Sequence, residues 1–497
     1  MINKNPFIRE NGDYTINNIS LFPSQNSGVE FILKNFNCII NHQPWPGLGK
    51  TLLSLVATQH FLRASTTLQI AILAPKQAIS SFKKELTNKI KESYSIYTTD
   101  EYEINKVSRY HIFTFTKIDE LIKFTYSTDN PICLVVDEVH KLSNNNLTNK
   151  KLFQLRNRFC IVIGLSGTPL QDKIESLYNV VNFVSPGYLG SYKDYESKYL
   201  ITKLKTVYVK GKKRKFKDVV GTKNTKELSE KLKKIMHIQF RSYNLDFNYR
   251  TTSMNKYEKE CYIKASKGMI DILDNEKEFS ARLVDLQRVV DGCHESFEID
   301  ELSSKEKLLI STVSEIMNRN ESVLIYCSFE STYTRLVKAL ESSRYILNYS
   351  KIHLITGKVK FEDRVKVETD MPKKSIVVIT KAGTASINLQ EANNLIFYDT
   401  PFTLLDVIQA IGRITRADTK YNTQHVYFLE VENTIDTYKR KIVESKIKNV
   451  QDLFGKNPTL PEIKDEKIDK EQLKKSLLWR KWWLNERIME RYRGIWG

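Results

Sequence analysis

The sequence predicts an α/β protein whose two halves are each built on a parallel sheet. Three observations predict it. Short apolar runs alternate with longer helix-period stretches, once in the first 190 residues and again after residue 300. The runs are apolar throughout rather than alternating, as in strands covered by helices on both faces. A chain of 497 residues with 41% hydrophobic content also holds enough apolar side chain for more than one core.

The first series of strand-like runs occupies residues 68–74, 112–115, 132–136 and 160–165. The second occupies 323–327, 352–355, 376–379, 395–398 and 426–429. Residues 190–300 break the rhythm with a basic, β-patterned stretch and then helical patterns at 224–238 and 254–290. Past residue 446 the chain becomes Lys-rich. After the breakers Pro458 and Pro461 comes a helix-like run at 469–493. The expected divisions are therefore a first lobe at 1–190, an insertion at 191–300, a second lobe at 301–445 and a basic aromatic helical tail at 446–497.

Lys and Arg number 77 against 58 Asp and Glu, a formal net charge of +19. An excess of this size points to a polyanionic partner, most often nucleic acid; a generally Lys-rich surface is the plain alternative. Six cysteines are dispersed without a C-x-x-C pair, which supports neither a zinc site nor a disulfide framework. Cys133, Cys160 and Cys327 fall in apolar runs, where a free thiol acts as a small core residue. The N-terminus carries no signal-peptide core, and no apolar run is long enough to span a bilayer. A soluble protein of a reducing, cytoplasmic compartment with no membrane partner is expected.

Residues 47–51, Gly-Leu-Gly-Lys-Thr, form a glycine turn followed at once by a helical run. That order turns backbone N–H groups and a helix N-terminus toward a polyphosphate. Gly47 and Gly49 supply the turn, Lys50 reaches the β- and γ-phosphates, and the Thr51 hydroxyl is placed to ligate magnesium. Pro44 stands where the usual phosphate loop has its first glycine. Further on, an apolar strand ends in Asp137 and Glu138. Where a strand frays into a loop both carboxylates can reach one cleft: Asp137 on the magnesium side, Glu138 polarising the attacking water. Cradle and carboxylates together imply hydrolysis of a nucleoside triphosphate.

These residues resemble superfamily 2 helicases, and more narrowly their Swi/Snf-like branch, over about residues 20–445. The segment from Leu21 is similar to that family's adenine-reading segment, with Gln25 as reader. Residues 137–144 look like its extended Walker B box, with His140 in a coupling role; residues 165–171, containing Ser166 and Thr168, look like its coupling motif. Residues 177–191 match a long family-specific signature. In the second half, residues 380–390, with Gly383, resemble motif V, and residues 409–416, with Gln409, Arg413 and Arg416, resemble motif VI. Arg413 and Arg416, three apart, would share a helical face and act as arginine fingers. Gly412 departs from the Swi/Snf form, which more often has an acidic residue there. The resemblance implies two RecA-like lobes, ATP and Mg2+ as cofactors, and stepping along a nucleic acid as the lobes close and open.

Residues 203–220 read as a hairpin around Gly211, with Tyr208 and Phe216 among Lys212, Lys213, Arg214 and Lys215. Two readings stand: a fork-contacting hairpin with an aromatic that stacks on a splayed base, or a solvated basic loop. The following residues 221–241 resemble the matching part of annealing helicases that remodel stalled forks, although only Arg241 of the family's usual arginine pair is present. In the tail, Trp479, Trp482 and Trp483 sit among basic residues, open to docking on the motor or to base stacking. No chromatin-reading module is visible, and the chain is similar to compact, phage-type fork and branch remodellers. The expectation is a monomeric, ATP-driven DNA translocase that unwinds or branch-migrates forked, branched or single-stranded DNA. An ATP-gated clamp and an RNA helicase are the alternatives.

Overall fold

In a computed structural model the chain forms two compact units. Described are residues 16–17, 19–43, 49–144, 146–167, 174–209, 212–240, 243–266, 276–292, 301–347, 352–356, 359, 363, 366–367, 374–381, 389, 391–415 and 419–454. The helix-like run at 469–493 and its tryptophans lie outside them.

The first unit holds a sheet of β1 (Cys38–Gln43), β2 (Gln69–Ala74), β3 (Tyr94–Tyr97), β4 (Tyr102–Glu103), β5 (Tyr110–Thr114), β6 (Ile132–Asp137) and β7 (Phe159–Ser166), completed by a later strand. Among the described residues, strands β8 (Leu200–Val209) and β9 (Lys212–Thr222) pair only with each other, and β10 (Met236–Phe240) is the one that returns to the first sheet. The order is β10-β1-β7-β6-β2-β5-β3-β4, parallel except for the β3/β4 pair. The second unit holds β11 (Leu245–Thr252), β12 (Val323–Cys327), β13 (Ile352–Ile355), β14 (Ile376–Thr380), β15 (Asn394–Phe397) and β16 (Gln424–Val431). These run wholly parallel in the order β11-β16-β15-β12-β14-β13.

The apolar runs became strands because both faces are covered. β5, β6, β12, β14 and β15 are buried at every position. Helix α1 (Pro23–Asn35) starts with Pro at its first position, where the missing N–H costs nothing. Helix α2 (Lys50–Ala64) is buried from Leu52 to Leu62 against the first sheet. Each fully buried Leu, Val or Phe there stabilises the unit by about 1.5–3 kcal/mol.

The insertion gives one strand to each sheet: β10 pairs with β1, and β11 with β16. The helical pattern at 224–238 stops sooner than its periodicity implies, as helix Thr225–Ile235, and β10 follows directly. The pattern at 254–290 contains two helices, Lys256–Ala265 and Glu276–Val290. Cys133 and Cys327 are core residues as expected, but Cys160 is exposed on β7, its thiol against the Ile132 carbonyl at 3.2 Å.

Candidate nucleotide site

The phosphate turn lies between β1 and α2. Gly49 has φ +66°, in the left-handed region, and a Cβ there would stand 2.0 Å from Gln25 Nε2. Backbone conformation requires glycine here, and a Cβ would also displace the Gln25 amide packed against it. Helix α2 begins at Lys50 with no acidic side chain in its first turn and no side-chain cap, which leaves that end suited to an anion. Lys50 and Thr51 are half-buried. Gly47 lies outside the described residues.

Gln25 is buried in the first turn of α1, where its Oε1 accepts from the Phe22 N–H at 2.9 Å. The other end of its amide meets Gly49. The structure therefore brings the expected base reader onto the phosphate turn itself.

Strand β6 delivers the carboxylates. Asp137 is buried at its end, and Glu138 takes the left-handed conformation, φ 53°, with its side chain 31% exposed. An L-residue there is held by its surroundings rather than by preference. Burial pushes the Asp137 carboxyl up, Glu138's charge adds to this, and Lys50 opposes it. Burial also raises Glu138, but His140 and then Lys50 outweigh it and hold Glu138 below the usual range. The two neighbours are thus pushed apart, Asp137 toward its neutral form and Glu138 toward its charged one.

His140 extends the site. Its Nδ1 lies 3.1 Å from Glu138 Oε2 and 3.0 Å from Ser166 Oγ, with imidazole and hydroxyl both buried. An ionised carboxylate only accepts, so the proton sits on Nδ1. The contact exists because β6 and β7 pair with Asp137 opposite Leu165. Gly164 makes room for the turn: a Cβ there would press on Val139 at 3.0–3.2 Å. Two residues that sequence reasoning missed also hold this turn. Asn149 Nδ2 donates to the carbonyls of Lys141 (2.8 Å) and Asn144 (2.6 Å), and Asn179 Nδ2 donates to that of Ser143 (3.0 Å). Asn179 falls inside the signature at 177–191, which was its only sequence signal. Thr168 lies outside the described residues.

In the second unit Arg413 is buried near the end of helix Leu404–Ile414, its Nε donating to the Gln409 carbonyl at 3.2 Å. Gln409 is half-buried. The helix ends at Ile414, with Thr415 extended, so the spacing of three does not by itself place Arg416 on a shared helical face. Arg416 and Gly383 lie outside the described residues. At the other end of this helix Asp406 pairs with Lys381 at 2.8 Å.

The basic strands β8 and β9 form their own two-stranded sheet. The strand ends that belong to the first unit are held within it: Lys217 Nζ meets Glu196 at 2.6 Å, Asn224 Nδ2 donates to the Lys198 carbonyl at 2.8 Å, and the Lys223 N–H to that of Tyr199 at 2.9 Å. Lys215 is exposed. The side chains of Tyr208, Lys212, Lys213, Arg214 and Phe216 lie outside the described ones.

A phosphate turn feeding a helix, strand-end carboxylates with split protonation and a histidine link to the next strand define an ATP-hydrolysing enzyme of the helicase class. The SNF2-related domain matches residues 24–290, and the helicase conserved C-terminal domain matches residues 304–418. The chain belongs to the SNF2-related family. It is similar to the uncharacterized ATP-dependent helicase YqhH of Bacillus subtilis (21% identity, covering 82% of this chain and 75% of the relative). It also resembles the CHD3-type chromatin-remodeling factor CHR7 of Arabidopsis thaliana (23%; 81% and 34%) and the DNA repair and recombination protein RAD54-like of Drosophila willistoni (24%; 91% and 66%). The chain thus spans about a third and two thirds of these last two. Among solved structures, the Sulfolobus solfataricus SWI2/SNF2 ATPase core in complex with dsDNA aligns over 88% of this chain and 94% of its own at 17% identity. The TM-score of that alignment is 0.39. Among the described residues no helix is long and apolar enough to cross a membrane.

Proposed function

We propose that the chain is an ATP-driven, monomeric DNA translocase of the cytoplasm that unwinds or branch-migrates forked and junction DNA in replication, recombination or repair. The observation that carries the motor is the unbroken chain Glu138–His140–Ser166, which ties the water-polarising carboxylate to the end of the next strand. A coupling residue that touches the catalytic carboxylate makes hydrolysis sensitive to what β7 and its following segment hold.

The site fits a magnesium ion. A buried Asp137 carboxyl pushed toward neutrality by its surroundings, beside a glycine turn that leaves no room for a Cβ, is the hard-oxygen setting such an ion relieves. Thr51 and Asp137 would hold it, and its chemistry would be charge neutralisation on the phosphates. Lys50 and the N–H groups of α2 bind the phosphates, Gln25 reads the base, and Glu138 polarises the attacking water with its charge secured by His140. Arg413 and Arg416 are assigned to the transition-state charge, Gly383 to the nucleotide, and Ser166, Thr168 and Gln409 to coupling.

The DNA reading rests on the +19 charge, the basic β8/β9 element and the relatives' names. Tyr208, Lys212, Lys213, Arg214, Lys215 and Phe216 are its proposed contacts, made mainly to phosphates and weakened steeply by salt. The test is ATPase activity against single-stranded DNA, single-stranded RNA and a synthetic junction. Lys50→Ala and Glu138→Gln should each abolish DNA-stimulated turnover. Deleting residues 205–217 should spare that turnover and abolish fork unwinding; equal loss of both would make the element structural. Stimulation by RNA alone would overturn the DNA assignment.

A further inference from the structure

Immediately before the phosphate turn stands a histidine that the mechanism above does not use. His42, the fifth residue of β1, is fully buried. Its Nε2 lies 3.2 Å from Nδ1 of His237 on β10, and His237 Nε2 lies 3.1 Å from Ser27 Oγ on α1. Ser27 Oγ in turn donates to the Ser24 carbonyl at 3.1 Å. The rings are 5.4 Å apart, and the parallel register places Ile40 opposite His237 and His42 opposite Gln239, so both imidazoles share one sheet face.

Proton counting fixes the direction of this chain. A neutral imidazole has one donor and one acceptor, and Ser27 has a single proton, already committed to Ser24. His237 Nε2 must therefore donate to Ser27, which leaves His237 Nδ1 as an acceptor, so His42 Nε2–H donates to it. The reverse order would need two protons from Ser27 and would bury a bare N–H at His42 Nδ1. The forward order leaves only an unfilled lone pair there, and His42 Nδ1 has no hydrogen-bond partner among the described residues. An unmet acceptor costs less than an unmet donor in such a place. Burial first, then the charge of Lys50, then His237, hold His42 far below the ordinary histidine range, so the chain stays uncharged.

We propose that His42 and His237 are positioning residues for ATP. Their one-way chain, His42 to His237 to Ser27 to Ser24, fixes the helix that carries Gln25 against the strand that feeds Gly49, with β10 as the middle link. On the next position the link is repeated through Asn41 Nδ2 and Met236 Sδ, 3.5 Å apart. Because β10 is the first strand after the basic β8/β9 element, the chain segment leaving that element is the one paired with the strand that feeds Gly49. The proposal rests on nucleotide binding at the Gly49 turn.

The test uses the full chain and compares His42→Gln with His42→Met, side chains of similar length of which only Gln can donate from the Nε2 position. His42→Gln should keep KM for ATP within about twofold of the parent, and His42→Met should raise it roughly five- to tenfold with kcat nearly unchanged. Equal KM values for the two variants overturn the proposal. Should His42→Met fail to fold, Ser27→Ala on half-buried α1 removes the far link without a core cavity. It should raise KM about threefold, and an unchanged KM overturns the proposal. Lys50→Ala separates the two failures: if it leaves ATP binding intact, the nucleotide placement is wrong, whereas loss with Lys50→Ala and no Gln/Met difference defeats only the histidine chain.

Discussion

Each sheet had to accept a segment from the insertion, and the two did so with opposite chemistry. The first sheet holds β10 through uncharged groups, the His42–His237 contact and the weak Asn41–Met236 bond. The second holds helix Glu276–Val290 and the residue after it, Asp291, through ionisable groups. Lys305 Nζ lies 3.0 Å from Asp291 and 2.7 Å from Asp436, all three buried. Gln287 Nε2 donates to both carboxylates, at 2.9 and 3.0 Å, and Thr332 donates to Asp291 at 3.1 Å. Nearby Lys439 is buried over the Phe402 ring, and burial lowers its pKa. Neutral groups are cheap to bury and can be loosened singly. Buried charges are costly to desolvate and hold only as a complete set. The first joint is therefore adjustable and the second is all-or-none.

The largest effect expected is at the charged joint. Lys305→Met leaves Asp291 and Asp436 buried without their cation and should cost the second unit about 3–5 kcal/mol. Hydrogen exchange at β12 and β14, read along a urea series, measures it. Adding Asp291→Asn and Asp436→Asn should return part of the loss, because the penalty is the orphaned charge rather than the missing contact. A single variant as stable as the parent would show that the joint is not what fastens this helix.

The same contrast gives the units opposite pH slopes. In the first unit burial is the first cause that lowers His42 to about 2, and His60 and His111 to about 4, against about 6.5 unfolded. Depressed histidines contribute stability that is full above pH 6.5 and is lost as pH falls, since the unfolded chain takes up the protons first. In the second unit burial lifts Glu430 on β16 to about 7, partly offset by Arg440 at 2.8 Å. A raised carboxyl contributes stability that is full below about pH 4.5 and is gone once pH passes 7. Between pH 4.5 and 6.5 the first sheet should tighten with rising pH, its three lowered histidines outweighing the raised Asp137 carboxyl, while the second loosens. Exchange at β5 and β16, corrected for intrinsic rates, reads both signs at once. His111→Phe should flatten the first slope and Glu430→Gln the second; parallel slopes in the two sheets would refute the contrast.

Much of this organisation was legible in the residues, and what escaped has physical reasons. The covered strands β2, β5, β6 and β7, and β12 to β16, coincide with apolar runs because burial on both faces leaves no polar alternation to obscure them. β1 escaped because its second half, Asn41-His42-Gln43, is polar; Asn41 and His42 are tolerated through partners on another strand, which no local window contains. β10 was hidden inside a helical period that continued past Ile235, and tertiary pairing with β1 overrode it. Lys50 in its glycine turn, and Asp137 with Glu138 at a strand end, were each expected from the residues beside them in the chain. The His140–Ser166 bond depends on the β6/β7 register, and the His42–His237 contact on a strand arriving almost two hundred residues later. A histidine at the polar end of an apolar run, just ahead of a glycine turn, was the one local hint.

The smallest effect probes the neutral joint where it is weakest. Met236→Leu keeps nearly the same volume but removes the sulfur that accepts from Asn41 Nδ2. Asn41 is fully buried and its Oδ1 already has no partner among the described residues, so the variant leaves its N–H group unmet as well. The cost should be about 1–2 kcal/mol, well under that of Lys305→Met, because a sulfur is a poor acceptor and little is lost with it. Asn41→Leu in the same background should recover most of that cost, since replacing both polar partners by apolar ones removes the desolvation penalty altogether. Urea midpoints of the two variants decide the matter. If Met236→Leu proved as damaging as loss of Lys305, burial depth rather than charge would set the strength of both joints.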